Sequence, residues 1–204
     1  LFIPSNKEIL VEINNDQYKD CERIAEGRYI HKRRLKIKNQ KIDKTRSDWK
    51  IEIGGMLNEY AVSQFAGTKV DRRSLLGGDG GIDGHWPIRC GDKELGAYTY
   101  DAKFSNYRTG RFIFFDHRKM IADLGVLGVP GRDYPKSIIL IGWIDAEYYH
   151  HHYHVKQFQT PVHCLHQSEM RPLIGIGRQL YDDFICPGIG EVSLREFPPL
   201  DNHR

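Results

Sequence analysis

Two acids and a lysine fall within one short stretch: Asp83 in Gly81-Ile82-Asp83-Gly84, then Asp101 and Lys103 in Tyr100-Asp101-Ala102-Lys103. Side chains along a strand alternate faces, so Asp101 and Lys103 project from one side while Ala102 points to the other. Phosphodiester hydrolysis needs an activated water and something to neutralise the charge growing on phosphate. A hard cation such as Mg2+ (or Mn2+) serves both needs, binding through one or two carboxylates plus waters and phosphate oxygens. Asp83, Asp101 and the Ala102 carbonyl are the candidate metal ligands. Lys103 is the candidate for holding the attacking water and stabilising charge on phosphate. A third acid, Glu59, lies just beside the apolar stripe of a predicted helix, where it would orient that water or help with a second ion. The residue types therefore imply a metal-dependent phosphodiesterase with Glu59, Asp83, Asp101 and Lys103 in catalytic roles.

The elements that must position these groups follow from periodicity. Ile9 to Ile13 reads as a strand, and Asn14-Asn15-Asp16 as the cap of a helix that runs on into the basic stretch. Few apolar residues lie among its cations, so that helix is expected to bury little. Ser47-Asp48 reads as a second cap. From Trp49 to Ala66, Ile53, Leu57, Tyr60, Ala61 and Phe65 recur at helical spacing, and Gly67 is the stop. Ile82 to Ile88 and Ala97 to Ser105 are predicted strands joined by a turn at Gly91-Asp92-Lys93, with Tyr98, Tyr100, Ala102 and Phe104 on the core side. Arg111 to Phe115 is predicted as a third strand. Asp116 is expected to cap a helix carrying Met120, Ile121, Leu124 and Val126, ended by Gly128 and Pro130. Ser137 to Ile144 is apolar throughout, as a strand buried on both faces should be. Ile176 to Ile185 has the phase of a short helix. The order is helix, three strands, helix, strand: an α/β sandwich on a small mixed sheet.

In this order, Glu59 on a helix, Gly-Ile-Asp83-Gly in a strand and Asp101-Ala-Lys103 in the next strand resemble the PD-(D/E)xK nuclease superfamily. The Gly-Gly-Ile-Asp-Gly wording is similar to that of its Mrr-like and Holliday-junction-resolvase-like branches. A basic N-terminal arm followed by Ile53-Gly54-Gly55-Met56-Leu57-Asn58-Glu59-Tyr60-Ala61-Val62 resembles small phage-encoded members. Ile82 stands where the motif name has proline. The resemblance covers about residues 52 to 145 and implies a restriction-endonuclease-like αβββαβ core, a mixed sheet flanked by helices, with a basic N-terminal helical arm added. It implies an endonuclease on DNA, with Asp83 and Asp101 as metal ligands, Lys103 as the catalytic lysine and Glu59 as the helix acid.

Charge and composition bound the partners. The net charge is +3 overall, but Arg28 to Lys50 holds ten lysines and arginines against two aspartates, which leaves the rest of the chain acidic. Such an arm on an acidic body is an electrostatic footprint for a polyanion. Arg33, Arg34, Lys36, Lys38 and Lys41 are the candidate contacts there, with Tyr107, Arg108 and Arg111 just past Lys103. The expected division is an arm over 1–50, a catalytic domain over 51–190 and a tail over 191–204. With 204 residues, the chain is long enough for one such core. No apolar run approaches the roughly 20 residues that span a bilayer, and the start does not resemble a signal peptide. The expectation is a soluble, cytoplasmic protein, in a bacterial host if phage-encoded, with no membrane partner. Its four scattered cysteines are expected to stay reduced.

Other readings compete. A calcium loop opening at Asp79 would put Cys90 where a bidentate glutamate belongs. Phosphate and dinucleotide loops lack their endings or spacing. Asp79 rivals Asp83 as a ligand but belongs to the glycine-rich turn that opens at Gly77-Gly78-Asp79-Gly80-Gly81, while Asp83 is expected on the strand. His150, His151, His152 and His154, with His163, Cys164 and His166 nearby, invite zinc, with His150, His152 and His154 on one face if the segment is a strand, yet paired ligand spacings are missing. The alternative from a different class is a non-catalytic nucleic-acid-binding protein that keeps the nuclease fold. Cutting both strands of a duplex would suit a homodimer.

Overall fold

The computed structural model describes residues 8–36, 46–70, 81–114, 116, 118, 120–157 and 161–185. The fold is mixed α/β, built around a five-stranded sheet. Its strands are β1 (Ile9–Glu12), β2 (Gly84–Cys90), β3 (Lys93–Phe104), β5 (Leu124–Pro130) and β6 (Ser137–Asp145), in the spatial order β1-β6-β5-β3-β2. β3 and β5 run parallel and the other neighbours antiparallel. A second, antiparallel sheet joins β4 (Phe112–Phe114), β8 (Pro161–Leu165) and β7 (His154–Gln157) in that order.

Alternation along the central strands sorts side chains between two cores. Tyr100, Ala102, Val126, Ile138 and Leu140 face a helical layer made by α1 (Asn15–Arg34) and α2 (Asp48–Ala66). Leu127, Val129, Ile139 and Ile141 face the opposite way, against Phe112, Phe114, Leu165 and Tyr149. Tyr149 belongs to α3 (Ala146–His152), and α4 (Ile176–Ile185) packs near β2. Leu127 pairs with Gly142 and Gly128 with Leu140, so Ile141 is bulged. The bulge changes the phase of β6 and lets Trp143 join the helical core.

Local chemistry fixes the helix ends. The Asn14 side chain accepts the Asp16 and Gln17 N–H groups, and Gln17 reaches back to the Asn14 N–H, a full capping box. Ser47 caps α2 by accepting the Lys50 N–H, and Gly67 closes it in the left-handed conformation. α1 is built into the body: Cys21, Ile24 and Ala25 are buried in the core it shares with α2. The predicted continuation of α1 into the basic stretch stops at Arg34, and residues 37–45 lie outside the described ones.

Two predicted elements are corrected. The segment expected to form a helix over Met120 to Val126 instead leads into β5, the strand beside β3. Among the described residues no α-helix follows Asp116, whose carboxylate accepts the N–H and guanidinium of nearby Arg118. Apolar residues spaced by three or four also fit a strand buried on both faces, and here tertiary fit decides. A Cβ on Gly125 would run into the Phe112 ring, and one on Gly128 into the Asn58 amide. Gly125 inside such a helix would weaken it by roughly 1 kcal/mol, whereas in β5 it admits Phe112 from one layer and Gly128 admits Asn58 from the other. The second correction is the histidine run. His150, His151 and His152 lie on helix α3, not along a strand, because Asp145 caps it by accepting the Tyr148 N–H. Only His154 is in a strand, β7.

Candidate functional site

The centre of the site is β3, held between β2 and β5. Tyr100 and Ala102 turn to the helical core, so Asp101 and Lys103 point to the other side. Lys103 Nζ donates to Asp101 Oδ1 at 2.6 Å and lies 4.6 Å from the centre of the Phe114 ring. The Asp101 side chain is 2% exposed, that of Lys103 34%. The acid is thus sealed in the sheet while its ammonium partner reaches the edge of the layer. The negative charge of Asp101 reaches Tyr149, whose phenol is pushed up by burial first and by Cys164, Tyr153 and Asp101 after it.

Asp83 joins this group from the neighbouring strand. The backbone pairing of β2 with β3 ends at Gly84 and Tyr100. Beyond it, the Asp83 N–H donates to the Tyr100 carbonyl at 2.8 Å, and Asp83 Oδ2 accepts the Ala102 N–H at 2.7 Å. The carboxylate replaces the next rung of the ladder. Asp83, Asp101, Ala102 and Lys103 therefore meet at one place on two adjacent strands. Two carboxylates are what a magnesium-type ion usually takes from protein, so this donor set suits a hard cation. Among the described residues, no three or more histidine, cysteine, aspartate or glutamate side chains gather as a metal cage.

Glu59 is in a different place. It projects from α2, where both carboxylate oxygens accept from Arg28 Nη1 of α1 at 2.7 and 2.8 Å. Seven residues earlier on α2, Glu52 accepts from Lys32 at 2.6 Å. Arg28 pairs with the later acid and Lys32 with the earlier, as antiparallel helices require. The structure brings Asp83, Asp101 and Lys103 together and puts Glu59 in the helical layer, across the sheet from Asp101 and Lys103.

The chain matches no protein-family model, no curated protein and no solved structure.

The candidate contacts for nucleic acid divide in the same way. Arg33, Arg34 and Lys36 are exposed at the end of α1, with the Arg33 guanidinium 5.6 Å from the Tyr29 ring centre. Lys38 and Lys41 lie outside the described residues, as does Asp79. Past Lys103, Tyr107 is 60% exposed. Arg108 is held by Glu8 at 2.7 Å. Arg111 is half-buried beside Cys164, whose thiol is pushed up mainly by burial. Of the histidines, His150 Nε2 lies 3.0 Å from the Met120 carbonyl, and His154 Nε2 lies 2.8 Å from Glu169.

Three supports escaped the sequence reading. Asp123 Oδ2 accepts both the N–H and the hydroxyl of Thr99 at 2.7 Å, and the Thr99 hydroxyl accepts the Asp123 N–H in return. This closed pair ties the entrance of β5 to β3 two residues before Asp101. Thr99 shares a strand face with Asp101, and that was the only signal available. Gln167 donates to the carbonyls of Arg108 at 2.7 Å and Gly110 at 2.8 Å. Arg28, read as part of a basic grip, is the counter-charge of Glu59.

Proposed function

We propose that this chain is a divalent-metal-dependent nuclease, an endonuclease on DNA, with a restriction-endonuclease-like core and its reaction centre at Asp83, Asp101 and Lys103. The observation that carries the reading is the meeting of two carboxylates and a partly exposed lysine on adjacent strands, in the order helix, Asp strand, Asp-x-Lys strand. Among the described residues between β4 and β6 there is no α-helix, so the likeness to that core rests on its first half.

Asp83, Asp101 and the Ala102 carbonyl would hold Mg2+ or Mn2+, which supplies a polarised water and neutralises phosphate charge when bound. Asp101 fixes the Lys103 ammonium, and the 34% exposure of that side chain lets Nζ donate to a phosphate oxygen or to the attacking water. Phe114 beneath the ammonium adds cation–π attraction and restricts its swing. Asp83, by accepting the Ala102 N–H, sets the distance between the two strands at the point where both acids stand. Arg33, Arg34 and Lys36 would grip the backbone, and a homodimer would address both strands of a duplex.

The test is cleavage of plasmid and oligonucleotide substrates with Mg2+ or Mn2+. Lys103→Met and Asp83→Asn should lose activity by about 10²- to 10³-fold, the size expected for removing one group that stabilises the transition state, while still unfolding cooperatively. Equal cleavage by parent and variants would overturn the assignment.

One observation favours a second reading. Glu59 is engaged by Arg28 and Asp101 by Lys103, so two of the three acids are neutralised by the chain's own cations. A nucleic-acid-binding protein without catalysis would look the same. Steeply salt-dependent binding with no cleavage under either metal would support that reading.

A further inference from the structure

The loop that follows Lys103 is tied at Ser105, Tyr107, Arg108 and Gly110, yet it displays a large aromatic ring. β3 continues to Ser105, whose N–H donates to the Gly128 carbonyl at 3.0 Å. The Ser105 hydroxyl accepts the Tyr107 N–H at 3.2 Å, and the Gly110 N–H donates to the Tyr107 carbonyl at 2.7 Å. A Cβ at Gly110 would strike the Ser105 hydroxyl, so the turn closes this tightly only with glycine. Gln167 then clamps the Arg108 and Gly110 carbonyls from outside the loop, and Glu8 clamps the Arg108 guanidinium. Within this braced turn Tyr107 is 60% exposed.

We infer that Tyr107 is a stacking platform for an unpaired base of the strand bound at Asp83, Asp101 and Lys103, which makes the substrate single-stranded or locally unpaired nucleic acid. This rests on the nuclease reading for the location of the strand. A nucleobase offers a flat π face to a tyrosine ring only when no neighbouring base covers it, so the platform selects against intact duplex. Because the loop is already ordered, stacking loses little conformational entropy. Cations flank the ring along the chain, Lys103 before it and Arg108 after it, each with a side chain about one-third exposed. In this scheme they take the phosphates on either side of a stacked base. Glu8, which faces Arg108, is 13% exposed and neutralised by it. Gln167 is a positioning residue in this scheme, acting only through the loop.

The experiment uses a dye-labelled single-stranded DNA carrying 2-aminopurine and the same strand in full duplex, each with the intact protein in Ca2+ and in Mg2+. Binding is read by anisotropy and stacking by quenching of 2-aminopurine. Single-strand binding should be tighter than duplex binding, and the base should be quenched by the parent and by Tyr107→Phe. Tyr107→Ala should abolish quenching and weaken single-strand binding by about 5- to 150-fold, the range for one stacked base, with duplex binding little changed. Gln167→Leu should reduce quenching while leaving the unfolding transition cooperative. Unquenched 2-aminopurine, or equal single-strand binding by parent and Tyr107→Ala, overturns the inference, as does absence of binding. Cleavage in Mg2+ separates the two claims. Tyr107-dependent quenching without cleavage keeps the platform and sinks the nuclease, whereas cleavage with no Tyr107 dependence does the reverse.

Discussion

Replacing Arg28 by methionine would leave the Glu59 carboxylate inside the helix pair without the guanidinium that now touches both its oxygens. The Glu59 side chain is 9% exposed and that of Arg28 16%, so water cannot readily take over. Breaking a pair this well shielded, with one charge left behind, costs about 3–5 kcal/mol. Urea unfolding of a protein this size has a slope of about 2 kcal/mol per molar. The midpoint should therefore fall by about 1.5–2.5 M. The double variant Arg28→Met with Glu59→Leu removes both charges and should recover most of the loss, because an apolar pair of similar volume replaces a desolvated ionic one. A single variant within about 0.5 kcal/mol of the parent would mean that the pair behaves like a solvated surface bridge, and the buried-clamp argument would fail. The double variant also tests chemistry. If it is stable and still cleaves DNA, Glu59 has no part in the reaction.

Gly128→Ala should destabilise by about 1–3 kcal/mol through overpacking against the Asn58 amide. In an Asn58→Ala background the penalty should fall by more than half, and equal penalties in the two backgrounds would refute the contact. For Glu169, burial pushes the carboxyl up, but the His166 backbone N–H and the His154 ring outweigh it and hold it below its ordinary value. A depressed carboxyl stabilises the fold above its unfolded titration and loses that effect as pH falls through the folded value. The stability gap between parent and Glu169→Gln should thus be full at neutral pH and close in the acid range below about pH 4.5. A gap independent of pH would show that Glu169 contributes through shape alone.

Much of this arrangement was legible because it is local. Asn14 and Ser47 announce their helices through side-chain oxygens that reach the next turn, and Gly91-Asp92 announces the β2–β3 hairpin. Asp101 and Lys103 lie two apart on a strand, so their common face followed from geometry alone. The apolar run at Ser137 could only be buried. What stayed hidden depends on distant partners. Leu124 to Pro130 carries spacings that suit a helix or a buried strand, and only Phe112 and Asn58, pressing on Gly125 and Gly128, decide between them. Glu59 was placed on its helix correctly, but its partner lies 31 residues back on another helix, in a stretch whose cations all look alike. Which of ten cations turns inward is a matter of helix packing that charge composition does not encode.

The pairing of β1 with β6 joins Ile9 to Leu140, residues separated by most of the chain's length. The α1–α2 pair and the β2–β3 hairpin need only nearby sequence, whereas pairing β1 with β6 closes a loop that holds most of the fold. Glu8 stands immediately before β1 and holds Arg108. The turn after Lys103 is therefore fastened in part by the edge strand of the sheet, so a change that loosens β1 also loosens the turn that carries Tyr107.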